Sequence, residues 1–182
     1  MKRKTFNQNG NIISAGGVLF LKDLDGHREV LIQKEKYLSD FGGKVETRDE
    51  DIYHTIGREL LEEINGGILK ADDEVEYLEL NEVIDLLKEN TIKEIYVPRC
   101  KYLLLIVELP DEYIFDYALI GEKEDHDEIP REVEWISVDD FFMRRKELNP
   151  RLWGNEIKNV LQPTVLDKNP FTAKNRFQKV HK

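Results

Sequence analysis

Three glutamates stand close together in residues 58–63, which read RELLEE, and their spacing suits the binding of a metal ion. Glu59, Glu62 and Glu63 fall on the same side of an α-helix, because side chains three and four positions apart are neighbours there. Carboxylate oxygens are ligands that Mg²⁺ and Mn²⁺ prefer, and such ions keep coordination places for water and a substrate phosphate. The pattern therefore indicates phosphate chemistry, with a solvated acidic helix face as the alternative.

The helix that carries these glutamates is predicted over residues 49–65. Apolar residues recur every four positions along it, at Ile52, Ile56, Leu60 and Ile64. With the first of them set at zero on a helical wheel, Glu63, Glu59 and Glu62 fall at about 20°, 340° and 280°. The three carboxylates thus flank the buried face, where like charges are costly unless a cation offsets them.

Two neighbouring features favour the metal interpretation. Gly42 and Gly43 precede a short strand predicted at residues 44–46, so a tight backbone turn could bring a carbonyl towards the same ion. Arg58, next to Glu59, can orient a carboxylate through a bidentate pair.

Together these residues resemble the signature of the Nudix hydrolases, G-x5-E-x7-R-E-U-x-E-E-x-G-U, in which U is aliphatic. The matching residues are Gly43, Glu50, Arg58, Glu59, Leu60, Glu62 and Glu63. The resemblance implies an α/β fold, a Nudix-like α/β/α sandwich with a mixed β-sheet. It implies hydrolysis of a nucleoside diphosphate linked to another group, with Mg²⁺ or Mn²⁺ as cofactor. It also implies a set of metal ligands: Glu59, Glu62, Glu63 and the Gly42 carbonyl. Arg58 would hold Glu59 in place.

The chain departs from this signature in the loop before the helix. Six residues separate Gly43 from Glu50 where the family has five, and Asp49 stands at the usual distance instead. Glu50 is therefore either the signature acid or only a helix cap, paired with Thr47 in a capping box. Asn65 occupies the place of the closing glycine, and Gly66 follows one position late.

A general base is also needed to take a proton from the attacking water. In the Nudix family this base is a signature glutamate or a carboxylate from a later loop. The candidate acids in the loop at residues 122–132 are Glu124, Asp125, Asp127, Glu128 and Glu132. We predict Glu128 as the base, completing a catalytic set with Arg58, Glu59 and Glu62, whereas a solvated acidic loop is the alternative.

Three basic residues are predicted to contact substrate phosphates: Lys34, Lys44 and Arg99. For each of them a surface charge is the alternative. A small nucleotide is the preferred substrate, with capped RNA or a diphosphoinositol phosphate as alternatives. A function of another class is a non-catalytic Nudix-fold module that binds a nucleotide without cleaving it. Nucleic acid is not favoured as a partner, no membrane partner is expected, and a homodimer is left open.

The remaining pattern predicts strands and helices in mixed order, which is typical of an α/β sandwich. Predicted strands cover residues 12–21, 29–33, 75–80, 95–109 and 133–138, the first two joined as a hairpin by DLDGH. Further helices are predicted over residues 82–90, 139–146 and 155–161. Residues 95–109, the most apolar stretch, are expected to form one central strand.

Composition indicates one soluble domain over residues 1–182 with a basic tail at about 168–182. The formal net charge is −10, and the two basic ends, residues 1–4 and 168–182, make the rest more acidic still. Such a body disfavours a long RNA track, whereas concentrated carboxylates suit a cation-dependent site. The chain has one cysteine, Cys100, so it forms no internal disulfide, and a reducing, cytoplasmic location is expected.

Overall fold

The computed structural model describes residues 3–71, 75–120 and 131–162. Their strands are β1 (Phe6–Gln8), β2 (Asn11–Ile13), β3 (Ala15–Leu24), β4 (His27–Lys34), β5 (Leu38–Ser39), β6 (Phe41–Lys44), β7 (Ile68–Ala71), β8 (Val75–Tyr77), β9 (Thr91–Val97), β10 (Tyr102–Glu108), β11 (Tyr113–Phe115) and β12 (Glu132–Ser137). The helices are α1 (Ile52–Glu63), α2 (Leu80–Asn90), α3 (Tyr117–Ile120), α4 (Val138–Met143) and α5 (Asn155–Leu161). No helix within the described ranges is long and apolar enough to cross a membrane.

A seven-stranded mixed sheet forms the centre of the fold. Its order is β12-β4-β3-β10-β9, with β5 added to β4 and β6 added to β3. The pair β3 and β10 is parallel, with Ala15 opposite Tyr102, and the other pairs are antiparallel. Smaller antiparallel sheets join β11, β7 and β8, and β1 with β2.

Each face of this sheet is covered by helices. Alternate side chains of a strand point to opposite faces, so Val18 and Phe20 pack with α1 and α2 in one core, and Leu19 and Leu21 pack with α4 and α5 in the other. The α/β/α sandwich with a mixed sheet is therefore confirmed.

The predicted central strand at residues 95–109 is wrong. A 3₁₀ turn at Pro98–Cys100 divides this stretch into β9 and β10, which pair antiparallel. Lys101 has a positive φ of 51°, which completes the reversal. The residues on both sides of the turn do form strands. Pro98, however, lies at a chain reversal and not at the start of a strand.

The hairpin predicted for the first two strands is present as β3 and β4, which turn at Asp25 and Gly26. The predicted strands at 75–80 and 133–138 are present as β8 and β12, and the other helices lie close to their predicted positions, with α5 matching at both ends. The predicted strand at residues 12–21 is divided at Ser14 between β2 and β3. The sequence pattern missed β1, β5, β7, β11 and the helix α3, each of four residues or fewer and too short to show a period.

Helix α1 begins later than predicted and with another cap. Asp51 is the N-cap residue, and its side chain accepts a hydrogen bond from the His54 amide at 2.7 Å. The capping box of Thr47 and Glu50 is therefore wrong. Asn65 and Gly66, both with positive φ, end the helix as the sequence indicated.

Candidate active site

The acidic strip of α1 lies at the edge of the core, as the helical wheel predicted. The side chains of Glu59 and Glu63 are 18% and 11% exposed, whereas that of Glu62 is 47% exposed. Arg58, on the same helix, is only 6% exposed. The strip therefore runs from a sheltered end at Glu63 to an open end at Glu62.

Arg58 is held by a buried carboxylate. Its Nε and Nη2 donate to the two oxygens of Asp49 at 2.9 and 3.1 Å, a bidentate pair. Asp49 is fully buried and also accepts from the Thr55 hydroxyl and the Glu46 amide, each at 2.8 Å. Burial alone would raise the pKa of Asp49, but these hydrogen bonds, above all those from Arg58, lower it to about 2.

The remaining nitrogen of Arg58 orients two glutamates of the strip. Nη1 donates to Glu59 Oε1 at 3.0 Å and to Glu62 Oε2 at 3.1 Å. Arg48 pairs with the other oxygen of Glu62 at 3.0 Å. Arg58 thus contacts both Glu59 and Glu62.

Asp49, and not Glu50, makes the buried contacts of the loop before the helix. Glu50 is exposed, and its amide donates to the His54 ring at 3.3 Å. The spacing from Gly43 was the signal that pointed to Asp49. The observed contacts agree with this spacing. Because the loop has one extra residue, Asp49 and not Glu50 stands where a carboxylate reaches Arg58.

Glu63 occupies a different environment at the inner end of the strip. It accepts a hydrogen bond from the Gly42 amide at 2.7 Å and pairs with Arg131 at 3.2 Å. Burial raises the pKa of Glu63 to about 8, although Gln33 and Arg131 offset part of that effect. Burial also raises the pKa of Glu59, as do the nearby charges of Glu62 and Glu46, against the opposing effect of Arg58.

The glycine pair does not form the predicted turn before a strand at 44–46. Gly42 and Gly43 lie inside β6, paired with Gly17 and Gly16 of β3. A Cβ atom at Gly43 would overlap the Glu59 carboxylate, and one at Gly42 would overlap the backbone of β3 and the Tyr102 hydroxyl. Glycine is required here for close approach from both faces of the strand, and not for chain reversal.

The residues of the strip fit a hard divalent cation by the chemistry of their donors. Two carboxylates, Glu59 and Glu63, are sheltered and have raised pKa values, so a positive charge nearby would favour their ionised forms. The ligand side chains do not converge, however, because Arg58 and Arg48 hold Glu62 while Glu63 turns to Gly42. Within the described ranges no three His, Cys, Asp or Glu side chains are close enough together to bind an ion.

The predicted phosphate contacts are divided between two places. Lys34 is paired with Glu132 across β4 and β12 at 3.3 Å. Lys44 and Arg99 both line a large cavity. Glu128 lies outside the described residues, as do Glu124, Asp125 and Asp127 of the same loop.

The cavity has a volume of about 1170 Å³, and Gly43, Lys44 and Glu46 line it, whereas the three glutamates of the strip do not. Gly43 is the residue whose missing side chain makes room for Glu59. Arg151 and Trp153 line the same cavity, and the sequence did not single out Arg151 as a ligand contact. The position of Arg151 depends on Asp40, 111 residues earlier in the chain, so no local spacing could reveal it.

No model of a known protein family matches the chain, and no curated protein matches it either. Solved structures do show similarity. Among them, an Ap4A hydrolase from C. elegans has 15% sequence identity over 74% of this chain and 87% of its own, with a TM-score of 0.40.

The Nudix domain of NrtR from Shewanella oneidensis, crystallised with ADP ribose, has 12% identity over 72% of this chain and 77% of its own, also with a TM-score of 0.40. A Nudix hydrolase from Nitrosomonas europaea has 16% identity over 88% and 90%, with a TM-score of 0.37. At such TM-scores these similarities do not establish a common function.

Proposed function

We propose that the chain is a metal-dependent pyrophosphohydrolase of the Nudix type. It would cleave a phosphoric anhydride in a nucleoside diphosphate linked to another group, using Mg²⁺ or Mn²⁺. The observation that carries the proposal is the contact of Arg58 with Asp49 on one side and with Glu59 and Glu62 on the other. This arrangement holds the acidic strip in place next to Gly43, which lines a large cavity.

The side chains of the strip have distinct tasks in this proposal. Glu59, Glu62 and Glu63, with the Gly42 carbonyl, would hold the metal ion. When bound, the ion would offset charge on the phosphate oxygens and lower the pKa of a coordinated water. Arg58 would fix the direction of the Glu59 carboxylate.

Proton transfer needs a further group. The predicted base is Glu128, with a signature glutamate as the alternative. Either carboxylate must lie within hydrogen-bond reach of the attacking water, directly or through one other water.

The cavity supports a small nucleotide with a second group attached. Its volume of about 1170 Å³ exceeds the roughly 300–1,000 Å³ typical of small-molecule sites. Lys44 and Arg99 would offset the phosphate charge at its wall. Capped RNA and a diphosphoinositol phosphate remain the alternatives, and the acidic body disfavours both.

A panel of nucleotides tests this function, with release of phosphate or nucleoside monophosphate measured with and without Mg²⁺ or Mn²⁺. Glu62→Gln should reduce the metal-dependent rate at least about 100-fold, since metal assistance is worth several kcal/mol of barrier. Glu89→Gln, an exposed glutamate on α2, is the matched control and should retain the wild-type rate. Equal activity of wild type and Glu62→Gln would refute the metal mechanism.

A non-catalytic nucleotide-binding module is the second candidate. It is favoured by the hold of Arg58 on Glu59 and Glu62, which leaves no preformed metal site among the described residues. Calorimetry separates the two functions. Nucleotide binding without turnover of any compound in the panel would support the module.

A further inference from the structure

Residues 149–154 form a fixed element on the cavity wall, outside the signature. A 3₁₀ turn at Pro150–Leu152 is capped by Asn149, whose side chain accepts from the Arg151 amide at 3.2 Å. The Asn149 amide donates to the Leu38 carbonyl at 2.8 Å. Leu148 and Leu152 are buried on either side of the cap. The element is therefore anchored to the sheet and presents its polar side chains in defined positions.

Arg151 is held rigidly at the base of the cavity. Its Nε donates to Asp40 Oδ1 at 2.7 Å and its Nη2 to the Ser39 hydroxyl at 3.0 Å. The guanidinium lies 4.5 Å from the centre of the Tyr102 ring, and the Tyr102 hydroxyl donates to the other oxygen of Asp40 at 2.6 Å. Asp40 is fully buried, so the pair has little freedom to rearrange.

One nitrogen of Arg151 is left for a ligand. Its Nη1 makes no hydrogen bond with any residue in the described ranges, and 22% of the side chain is exposed where it lines the cavity. Because Asp40 balances the charge, Arg151 offers a directed hydrogen bond and not a free positive charge. Such a donor suits one oxygen of a phosphate group.

Trp153 supplies a flat apolar surface two residues further along. It lines the same cavity and is 43% exposed, an unusual exposure for so large an apolar side chain. The Arg145 guanidinium lies 5.8 Å from its ring centre and donates to its backbone carbonyl at 3.3 Å. The other tryptophan, Trp135, instead packs on Phe115 in the core.

Basic residues outnumber acidic ones on the cavity wall, where the acids are Glu46 and Glu156. Arg3, Lys44 and Arg99 line it, and none of them forms an ion pair with a described residue. On a protein with a net charge of −10, this wall is a local region of positive potential that attracts anions.

We propose that Arg151 and Trp153 recognise the nucleoside phosphate part of the substrate. The base stacks on Trp153, and Arg151 Nη1 donates to a phosphate oxygen. Asp40 and Tyr102 are positioning residues for Arg151. This inference rests on the proposed function, because the link between the cavity and the acidic strip is Gly43, which lines the cavity and lies against the Glu59 carboxylate.

Tryptophan fluorescence tests the stacking without any metal. In Trp135→Phe, Trp153 is the remaining fluorophore, and EDTA removes divalent cations. ADP should quench the emission saturably, whereas ribose 5-phosphate and inorganic phosphate should not. No quenching by ADP, or equal quenching by all three compounds, overturns the proposal.

Steady-state kinetics and ADP affinity test Arg151. Loss of one hydrogen bond to a charged group weakens binding about 10- to 100-fold, so Arg151→Met should raise KM and the ADP dissociation constant by that factor with a smaller effect on kcat. Arg144→Met, outside the cavity wall, is the matched control and should change neither. An unchanged affinity in Arg151→Met overturns the proposal.

Arg151→Met leaves Asp40 buried without its cation, so the double variant Arg151→Met/Asp40→Asn provides a folded alternative with the same expected loss of affinity. The outcomes also separate this inference from the proposed function. Quenching by ADP without hydrolysis of any nucleotide refutes the hydrolase alone. Hydrolysis with an unchanged KM in both Arg151 variants refutes the recognition role alone.

Discussion

Replacing Asp49 with asparagine tests whether Asp49 or Glu50 is the acid in the loop before α1 that contacts Arg58. The substitution keeps the shape of the side chain but removes the negative charge that Arg58 contacts through two nitrogens. Glu50→Gln is the matched control, because Glu50 is exposed and its side chain is not needed for any buried contact.

The expected loss of folding free energy follows from the pKa of Asp49. Its fall from 3.8 to about 2 corresponds to about 2 kcal/mol of folding free energy at neutral pH, at 1.36 kcal/mol per pKa unit. Because the folded pKa is lowered, this stabilisation is present above the unfolded value of 3.8. It is lost as the pH falls through 3.8 towards 2.

Urea denaturation measures this effect. At pH 7, Asp49→Asn should lose about 2 kcal/mol or more, since Arg58 is also left with an unpaired buried contact. The difference from wild type should shrink as the pH approaches 2, and Glu50→Gln should stay within about 0.5 kcal/mol of wild type. Equal losses in the two variants, or a difference that does not depend on pH, would refute the assignment of Asp49 as the partner of Arg58.

Further substitutions probe the glycine pair and the core. Gly43→Ala should leave stability within about 1 kcal/mol of wild type, because the Glu59 side chain can swing aside, but should lower metal-dependent hydrolysis about 100-fold by displacing that carboxylate. Gly42→Ala should cost about 3 kcal/mol in thermal or urea unfolding, because its Cβ would overlap the backbone at Gly17, which cannot move aside. Ile56→Ala, at a fully buried position of α1, should cost roughly 2–5 kcal/mol in the same assay, and a loss below about 1 kcal/mol would contradict the packing of that helix.

The sequence predicted those parts of the fold that have a local cause. The four-residue period of α1 placed its buried face correctly, because that period is set by helix geometry alone. The division of residues 95–109 was not predicted, since both β9 and β10 are apolar and the reversal depends on a 3₁₀ turn and a positive φ at Lys101. Short strands such as β5 exist only because the sheet supplies their partners.

The candidate site also has one part that depends on local spacing and another that depends on distant contacts. Glu59, Glu62 and Arg58 lie on one helix, so their spacing alone brought them together. Arg151 meets Asp40 across 111 positions of the chain, and no pattern in a single sequence reports such a contact. The glycine pair was identified correctly as special, but for the wrong reason. Its role is close approach, which depends on Glu59 and Tyr102 packing against the strand.

The parallel pairing of β3 with β10 has a consequence for how the protein is made. Ala15 of β3 pairs with Tyr102 of β10, which is synthesised about 90 residues later. At roughly 5–20 residues per second, the hairpin of β3 and β4 therefore spends on the order of 5–20 s without β10 beside it. During that interval the edge of β3 that pairs with β10 stays unpaired and open to other strands. Such distant pairing also slows refolding of the finished chain relative to a helical protein of equal size.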